Sequence, residues 1–235
     1  MCLILFAIAP DNHHHLVIAA NRDEQHGRPT LSADYWPDDN DVLAGRDLQA
    51  GGTWLGVTKT ARFAAVTNFA EVAPDPLPPR SRGELTREFL MGNEDCLSYL
   101  NRVDASHDQY RGFNLLISEG KQVYYYCNRV REIQQLPAGY YGLSNQVLDC
   151  DWPKVIKGRQ QLQQLNSSEF DRTALFELLA CRGDGSDHSA RFILGDQYGT
   201  CAATVVKITA DGTYFEERNF APDGTEISRS IYQLD

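Results

Sequence analysis

A cysteine directly follows the initiator methionine and begins an unbroken apolar run, Met1-Cys2-Leu3-Ile4-Leu5-Phe6-Ala7-Ile8-Ala9. Methionine aminopeptidase removes Met1 readily when a residue as small as cysteine follows. The new terminal residue would then carry a thiol and a free α-amine, which together form a nucleophile and its base. The first chemistry that the chain indicates is therefore attack by Cys2 on a carbonyl carbon.

A group of polar residues, Asn21-Arg22-Asp23-Glu24, follows the second apolar run of the chain. Residues 2–9 and 16–20 are continuously apolar, which predicts two strands buried on both faces. The turn sequence Pro10-Asp11-Asn12 between them predicts an antiparallel hairpin. This hairpin places the polar group near Cys2, where an arginine lowers the pKa of a thiol.

Three further candidate site residues lie between positions 50 and 85. Asn68 ends the predicted strand of residues 62–68 and can point its amide into a cleft. Trp54 lies among three glycines, and either covers a site or fills the core. Arg82 belongs to the proline-rich segment of residues 73–83, which we predict to be an extended loop. Its guanidinium either receives a carboxylate or phosphate, or is simply solvated.

Composition and charge limit the classes of function. The 235 residues include 22 basic and 32 acidic side chains, a net charge of −10 that repels nucleic acid and anionic membrane surfaces. The six cysteines are scattered without a CxxC pair, so we expect reduced thiols and no metal site. No apolar run approaches the roughly 20 residues that cross a bilayer. We expect one domain spanning residues 1–235, in the cytoplasm and without an integral membrane segment.

The remaining pattern predicts strands, helices, strands, helices and strands, an order that suits two stacked sheets with helices outside. We predict an irregular loop over residues 25–41, two helices after the proline-rich segment, and a hairpin of residues 113–118 and 123–127. A short strand is predicted at residues 139–143. Asp151 is predicted to cap a helix, a second helix to span residues 171–181, and residues 201–208 and 214–217 to form a closing hairpin.

Several motifs in this order resemble those of the NRDE family, the relatives of transport and Golgi organisation protein 2. The motifs cover nearly the whole chain, and together they are highly specific. They are Met1-Cys2, Asn21-Arg22-Asp23-Glu24, Gly51-Gly52-Thr53-Trp54-Leu55-Gly56-Val57, Thr67-Asn68, Ser81-Arg82-Gly83, Gly112-Phe113-Asn114-Leu115, Gly142-Leu143-Ser144-Asn145 and Gly199-Thr200.

The resemblance implies an α+β fold, a four-layer αββα sandwich of the N-terminal-nucleophile hydrolase type. Its layout is similar to that of cysteine amidases that open penicillin V, bile-salt amides and ceramides. By that similarity Cys2 matches the nucleophile, and Arg22 with Asp23 matches the pair that orients it. Asn68 and Asn145 match the asparagines of the oxyanion site.

The resemblance also implies handling of haem or acyl-CoA-type lipids. Our first hypothesis is a soluble protein that binds and carries haem, or a similar amphipathic ligand, in a cleft near Cys2. The residues expected to bind this ligand are Asn21, Glu24, His26, Trp54 and Arg82. Cys2, His26 and the tyrosines are candidate iron ligands.

Two alternatives remain open at this point. One is an amidase that uses Cys2 on a linear C–N bond, a reaction that requires no metal or organic cofactor. The other is an inactive sandwich in which the NRDE residues only brace the fold. The sequence does not specify the oligomeric state.

Overall fold

The structure, a computed structural model, describes residues 2–72, 76–165 and 170–235. In chain order its elements are β1 (Leu3–Ile8), β2 (His14–Gln25), β3 (Thr30–Trp36), β4 (Asp39–Asp47), β5 (Leu55–Thr58), β6 (Phe63–Asn68), α1 (Gly83–Met91), α2 (Cys96–Ala105), β7 (Phe113–Glu119), β8 (Gln122–Cys127), β9 (Glu132–Gln135), β10 (Gly139–Leu143), α3 (Pro153–Gln164), α4 (Arg172–Leu179), β11 (Tyr198–Thr209), β12 (Gly212–Phe220) and β13 (Glu226–Leu234).

The chain divides into two compact units. The first unit comprises the chain up to Arg28 together with Ala138–Ser144 and Leu148–Asp235, and the second comprises Pro29–Pro137 with Asn145–Val147. In the described residues each unit contains one antiparallel sheet and one pair of α-helices. The expectation of one domain over residues 1–235 stays a prediction.

The described part of the first unit has a six-stranded sheet in the order β10-β1-β2-β11-β12-β13. Successive side chains of a strand point to opposite faces, so Leu3, Leu5 and Ala7 of β1 share one face. They pack with apolar residues of α3 and α4, among them Val155 and Leu175. The alternate residues of β1 are also buried, which explains why this strand is apolar throughout.

The described part of the second unit has a seven-stranded sheet in the order β3-β4-β5-β6-β7-β8-β9. One face of this sheet packs against α1 and α2 in a second core. That core includes Val66 and Leu115 from the strands and Leu85, Phe89 and Leu100 from the helices. The two helices predicted after the proline-rich segment are thereby confirmed.

Two glycine motifs of the second unit pack against each other. A Cβ at Gly52 would lie 2.3 Å from the carbonyl oxygen of Gly83, so only glycine permits this approach. Thr53 N donates to the same oxygen at 3.2 Å. The hydroxyl of Thr86 in α1 donates to the Thr53 carbonyl. These motifs join the β4–β5 connection to the start of α1.

The predicted hairpins agree with the structure, but three other predictions are wrong. Residues 25–41 are not an irregular loop, because they contain the end of β2, all of β3 and the start of β4. Asp151 does not cap α3: the cap residue is Trp152, and it makes no side-chain cap hydrogen bond. The β11–β12 hairpin does not close the chain, since β13 follows it.

Two predictions concern residues outside the described part of the chain. They are the removal of Met1 and the extended conformation at residues 73–75, which begin the proline-rich segment. In the described residues no helix combines the length and the apolar character needed to span a membrane.

Candidate functional site

Cys2 lies immediately before β1, opposite the end of the apolar part of β2. Leu3 pairs with Asn21, so the register of the hairpin brings Cys2 to the NRDE residues as predicted. The Cys2 thiol approaches the backbone carbonyl oxygen of Asp23 at 3.9 Å, and the Cys2 carbonyl accepts a hydrogen bond of 2.7 Å from Ser144 Oγ. Burial raises the pKa of the Cys2 thiol, and Arg22 acts in the opposite direction. Attack by this thiol therefore requires a group that accepts its proton.

Asp23 is buried and held by β11. Its Oδ1 accepts a hydrogen bond of 2.7 Å from Thr200 Oγ1, and its backbone carbonyl accepts one of 3.1 Å from the Tyr198 hydroxyl. Burial raises the pKa of the Asp23 carboxyl to about 6, although the Thr200 hydrogen bond and the charge of Lys154 lower it. Asp23 therefore titrates near neutral pH.

Arg22 points to the side of β2 that carries Glu24. The Arg22 side chain is 8% exposed, and its Nη2 lies 3.9 Å from Glu24 Oε2. Arg28 Nε lies at the same distance from that oxygen. The Glu24 carboxylate therefore lies near two guanidinium groups, and the one from Arg22 is buried.

β11 has a β-bulge opposite Arg22 and Asp23 of β2. Thr200 pairs with Asp23 and Ala202 pairs with Arg22, which leaves Cys201 as the extra residue. A bulge of this kind redirects a side chain. The Cys201 thiol lies 3.5 Å from His26 Nδ1 and 3.5 Å from the Glu24 carbonyl oxygen. His26 therefore contacts Cys201, which was not among the predicted site residues.

Asn21 connects β2 to two other segments of the first unit by hydrogen bonds. Its Nδ2 donates to the carbonyl oxygens of Leu179 at 3.1 Å and Arg191 at 2.7 Å. These bonds attach the end of α4 and the following segment to β2. Its expected role in ligand binding stays a prediction.

Asn68 and Asn145 lie in the second unit, at the end of β6 and after β10. Asn145 Nδ2 donates to the Asn68 carbonyl at 2.7 Å, and the Asn145 carbonyl accepts from Ala70 N at 2.7 Å. Asn145 is buried, whereas Asn68 is exposed. Nearby, Asn114 Nδ2 donates to Thr67 Oγ1 at 3.1 Å. The structure thus brings the two predicted asparagines together.

Trp54 and Arg82 also lie in the second unit. A Cβ at Gly45 would meet the Trp54 ring at 2.2 Å, so this ring packs directly on the backbone of β4. Arg82 Nη1 donates to the Gly112 carbonyl at 3.2 Å. Both contacts are internal to the unit, and a role of either residue in ligand binding stays a prediction.

Lys154 is a site residue that sequence reasoning missed. It lies in the first turn of α3 and is 2% exposed. Burial lowers the pKa of Lys154, whereas the charges of Asp23 and Cys2 raise it. A signal was present in the sequence, because Lys154 shares the spacing of the buried Gly158 and Leu162 along the helix. A lysine on a buried helical face is rare and indicates a specific electrostatic environment.

The second unit has an apolar pocket of about 540 Å³ at the edge strand β3 and its neighbour β4. Arg46 lies over the Trp36 ring at 4.5 Å and pairs with Asp38. Leu31 and Leu48 are each 53% exposed at this pocket. In the described residues no group of three or more His, Cys, Asp or Glu side chains is arranged to hold a metal ion.

Comparison with solved structures gives the class of fold. The chain is similar to the Caenorhabditis elegans N-acylethanolamine-hydrolyzing acid amidase (NAAA) ortholog, with a TM-score of 0.54 and 12% identity over 87% of this chain and 92% of that chain. Similarity at this level of identity concerns the fold alone. The fold is α+β and of the N-terminal-nucleophile hydrolase type, which confirms the sequence expectation.

Comparison of sequences gives the family. The family described as Transport and Golgi organisation 2 matches residues 1–222. The Transport and Golgi organization protein 2 homolog of Bos taurus is 35% identical, with 100% of this chain and 99% of that protein covered. The Mus musculus homolog is 40% identical over 68% of this chain and 62% of its own length. The chain belongs to the Transport and Golgi organisation 2 family.

Proposed function

We propose that this protein is a cysteine hydrolase that cleaves a linear amide bond, with Cys2 as its nucleophile after removal of Met1. The observation that supports the proposal is the approach of the Cys2 thiol to the Asp23 backbone carbonyl, in the strand that also carries the buried Arg22. A related fold occurs in the nematode protein that is named as an N-acylethanolamine-hydrolyzing amidase. The substrate class that we infer is an N-acyl amide.

The proposed reaction has two steps. In the first, the α-amine of Cys2 takes the thiol proton, sulfur attacks the carbonyl carbon, and the leaving amine departs with that proton as a thioester forms. In the second, the α-amine takes a proton from water, hydroxide breaks the thioester, and the carboxylic acid leaves as the thiol is restored.

The test compares turnover of N-acyl amides by the protein and by Cys2→Ser and Cys2→Ala. Cys2→Ser keeps the α-amine but weakens the nucleophile, and Cys2→Ala removes the nucleophile. Both should lose at least about a hundredfold in kcat/KM. Cys181→Ala, which removes another half-buried thiol of the same unit, serves as the control and should retain turnover. Equal turnover by Cys2→Ala and the parent protein would refute Cys2 as the nucleophile.

A second candidate function is the binding of haem or an acyl-CoA-type ligand, which the apolar pocket of the second unit favours. Its volume of about 540 Å³ is in the range of small-molecule sites. The exposed Leu31 and Leu48 and the Trp36 ring supply apolar contact. Arg46 supplies a cation at the rim, although Asp38 already pairs with it.

Haem titration monitored in the Soret region tests this candidate. Leu48→Asp places a charge in the pocket and should weaken binding at least about tenfold. Leu97→Asp is the matched control because Leu97 is similarly exposed, on α2 of the same unit. His26→Ala and Cys2→Ala, both in the first unit, test the separate prediction from the sequence that haem binds near Cys2. The absence of a Soret shift in the parent protein at micromolar haem would reject haem as the ligand, and a parallel acyl-CoA titration tests the other class.

A further inference from the structure

A small pocket lies in the first unit and is lined by residues of α4, β11, β12 and the turn before β13. Its volume is about 170 Å³, and its lining includes Phe176, Leu179, Ala203 and Gly224. A cavity of about 150 Å³ with apolar walls is large enough to hold benzene. The pocket therefore has room for an apolar group about the size of one aromatic ring.

Arg182 lines this pocket, and among the described residues no carboxylate pairs with it. Its Cζ lies 4.5 Å from the centre of the Phe192 ring. A Cβ at Gly224 would lie 3.0 Å from Arg182 Nη2, so the turn before β13 packs closely on the guanidinium. Stacking on a ring uses the face of a guanidinium and leaves the N–H groups at its edge available. Arg182 is therefore a held cation whose donors are available to a ligand.

A second guanidinium, that of Arg218, lines the pocket from β12. Its Cζ lies 3.6 Å from the centre of the Phe176 ring, and its Nε pairs with Glu216 Oε1 at 2.8 Å. The same Glu216 oxygen lies 3.8 Å from Arg229 Nε, so this buried carboxylate is shared by two arginines. The pocket therefore carries positive charge in a chain whose net charge is −10, and it favours an anion.

The walls of the pocket are aromatic and aliphatic. The Phe192 and Phe220 rings form a T-shaped pair with their centres 4.9 Å apart, and Leu179 lies beside them in the lining. Apolar walls with a few placed polar groups are typical of small-molecule sites. An inorganic anion would leave these walls without a partner, and a neutral hydrocarbon would leave Arg182 without one. The two features together indicate a ligand with an anionic group and an apolar body.

We propose that this pocket binds a small monocarboxylic acid whose apolar body is about the size of one benzene ring. The carboxylate pairs with the edge of the Arg182 guanidinium, whose planar fork of N–H donors matches its two oxygens. The apolar body packs against Phe192 and Phe220. The lining does not include Cys2 or Asp23, so this site is separate from the proposed nucleophile. The inference does not depend on the proposed hydrolysis.

The experiment titrates the ¹⁵N-arginine-labelled full chain with phenylacetate and follows the Arg182 Nε–H resonance by NMR. The resonance is assigned by its absence in Arg182→Gln. A ligand of this size should bind with a Kd of about 1 mM or tighter. Phenylacetamide keeps the shape without the charge, and acetate keeps the charge without the ring. Each should bind at least about tenfold more weakly than phenylacetate.

Three results of this titration would overturn the inference. The first is an Arg182 resonance that does not shift at about 10 mM phenylacetate. The second is a phenylacetamide affinity equal to that of phenylacetate, because the guanidinium would then contribute nothing. The third is an equal affinity for acetate, because the apolar walls would then contribute nothing.

Two variants test the location of the site, with phenylacetate binding measured by saturation-transfer NMR of the ligand. Arg182→Gln should weaken binding at least about tenfold. Arg159→Gln is the matched control, because Arg159 lies in the same unit outside the lining and pairs with Asp149 at 2.8 Å. Ala180→Leu adds volume at an exposed position of the lining and should also weaken binding, with little change in thermal stability.

Equal binding by Arg182→Gln and Arg159→Gln would refute the role of Arg182. Undiminished binding by Ala180→Leu would place the ligand outside this pocket and overturn the proposal. Because no arm of the experiment measures amide turnover, failure of the proposed hydrolysis leaves this inference intact, and failure of this inference leaves the hydrolysis open to its own test.

Discussion

Burial sets the charge states of individual residues at the candidate site. Asp23 and Lys154 are both almost inaccessible, and burial opposes ionisation of each. Each group lowers the cost of the other's charge, while Thr200 supplies a hydrogen bond to Asp23.

The raised pKa of Asp23 predicts a pH dependence of stability. The folded state holds the Asp23 proton up to about pH 6, whereas the unfolded state releases it near pH 4. The stabilisation that this proton supplies is complete below about pH 4 and is lost as pH rises through about 6. Relative to Asp23→Asn, the parent protein should lose up to about 3 kcal/mol of unfolding free energy over this window.

Urea unfolding of the parent protein and Asp23→Asn at several pH values between 4 and 7.5 measures this difference. The other carboxylates are common to both proteins, so their contributions cancel in the comparison. A difference in unfolding free energy that stays constant across this range would contradict the raised pKa of Asp23.

At the scale of elements, the strands that were not predicted from the sequence include three edge strands and the two interior strands β4 and β5. β3 and β9 are the edges of the second unit's sheet, and β13 is an edge of the first unit's sheet. Their residues alternate weakly and are mostly exposed, as the pattern of β13 shows. Because an edge strand buries little apolar surface, its sequence reads as polar loop. The central strands β1, β2 and β7 were predictable because both of their faces are buried.

The contact between the two glycine motifs predicts a large effect from a small substitution. Gly52→Ala places a methyl group against the Gly83 carbonyl, where backbone would have to move, and should destabilise the protein by about 1–3 kcal/mol. Gly27→Ala is the control, because a Cβ at Gly27 meets no atom within 4 Å. Thermal or denaturant unfolding measures both, and equal stability of the two variants would contradict the close approach.

The elements also determine how much of the candidate site the sequence reveals. The hairpin that joins Cys2 to Arg22 and Asp23 was predictable because both strands are local and strongly apolar. Cys201 was not predictable, since its placement depends on a bulge in β11. Lys154 left only a weak signal, its helical spacing from Gly158 and Leu162, because its burial depends on how α3 packs. The pairing of Asn68 with Asn145 depends on residues 77 positions apart. The family resemblance selected both residues, and only Asn68 was also indicated locally, as the end of a predicted strand.

At the scale of the whole molecule, each unit combines one sheet with two helices and carries its own part of the predicted chemistry. The first unit contains Cys2, Arg22 and Asp23 with their buried lysine. The second contains the two asparagines and the apolar pocket. The family and the hydrolase-type fold apply to the chain as a whole, and both were predictable from motifs spread along it. The choice between reaction and binding depends on whether Cys2 forms a bond to a ligand.

Time-resolved intact-mass spectrometry of the whole protein mixed with activated N-acyl anilides tests this choice most directly. The proposed reaction predicts a protein mass lacking one methionine that gains one acyl group before steady state, with the acyl group located on the peptide that begins with Cys2. The same sample of Cys2→Ser should show no acyl thioester. A parent protein that retains Met1, or that turns over no anilide and gains no acyl mass at Cys2, would contradict the central claim.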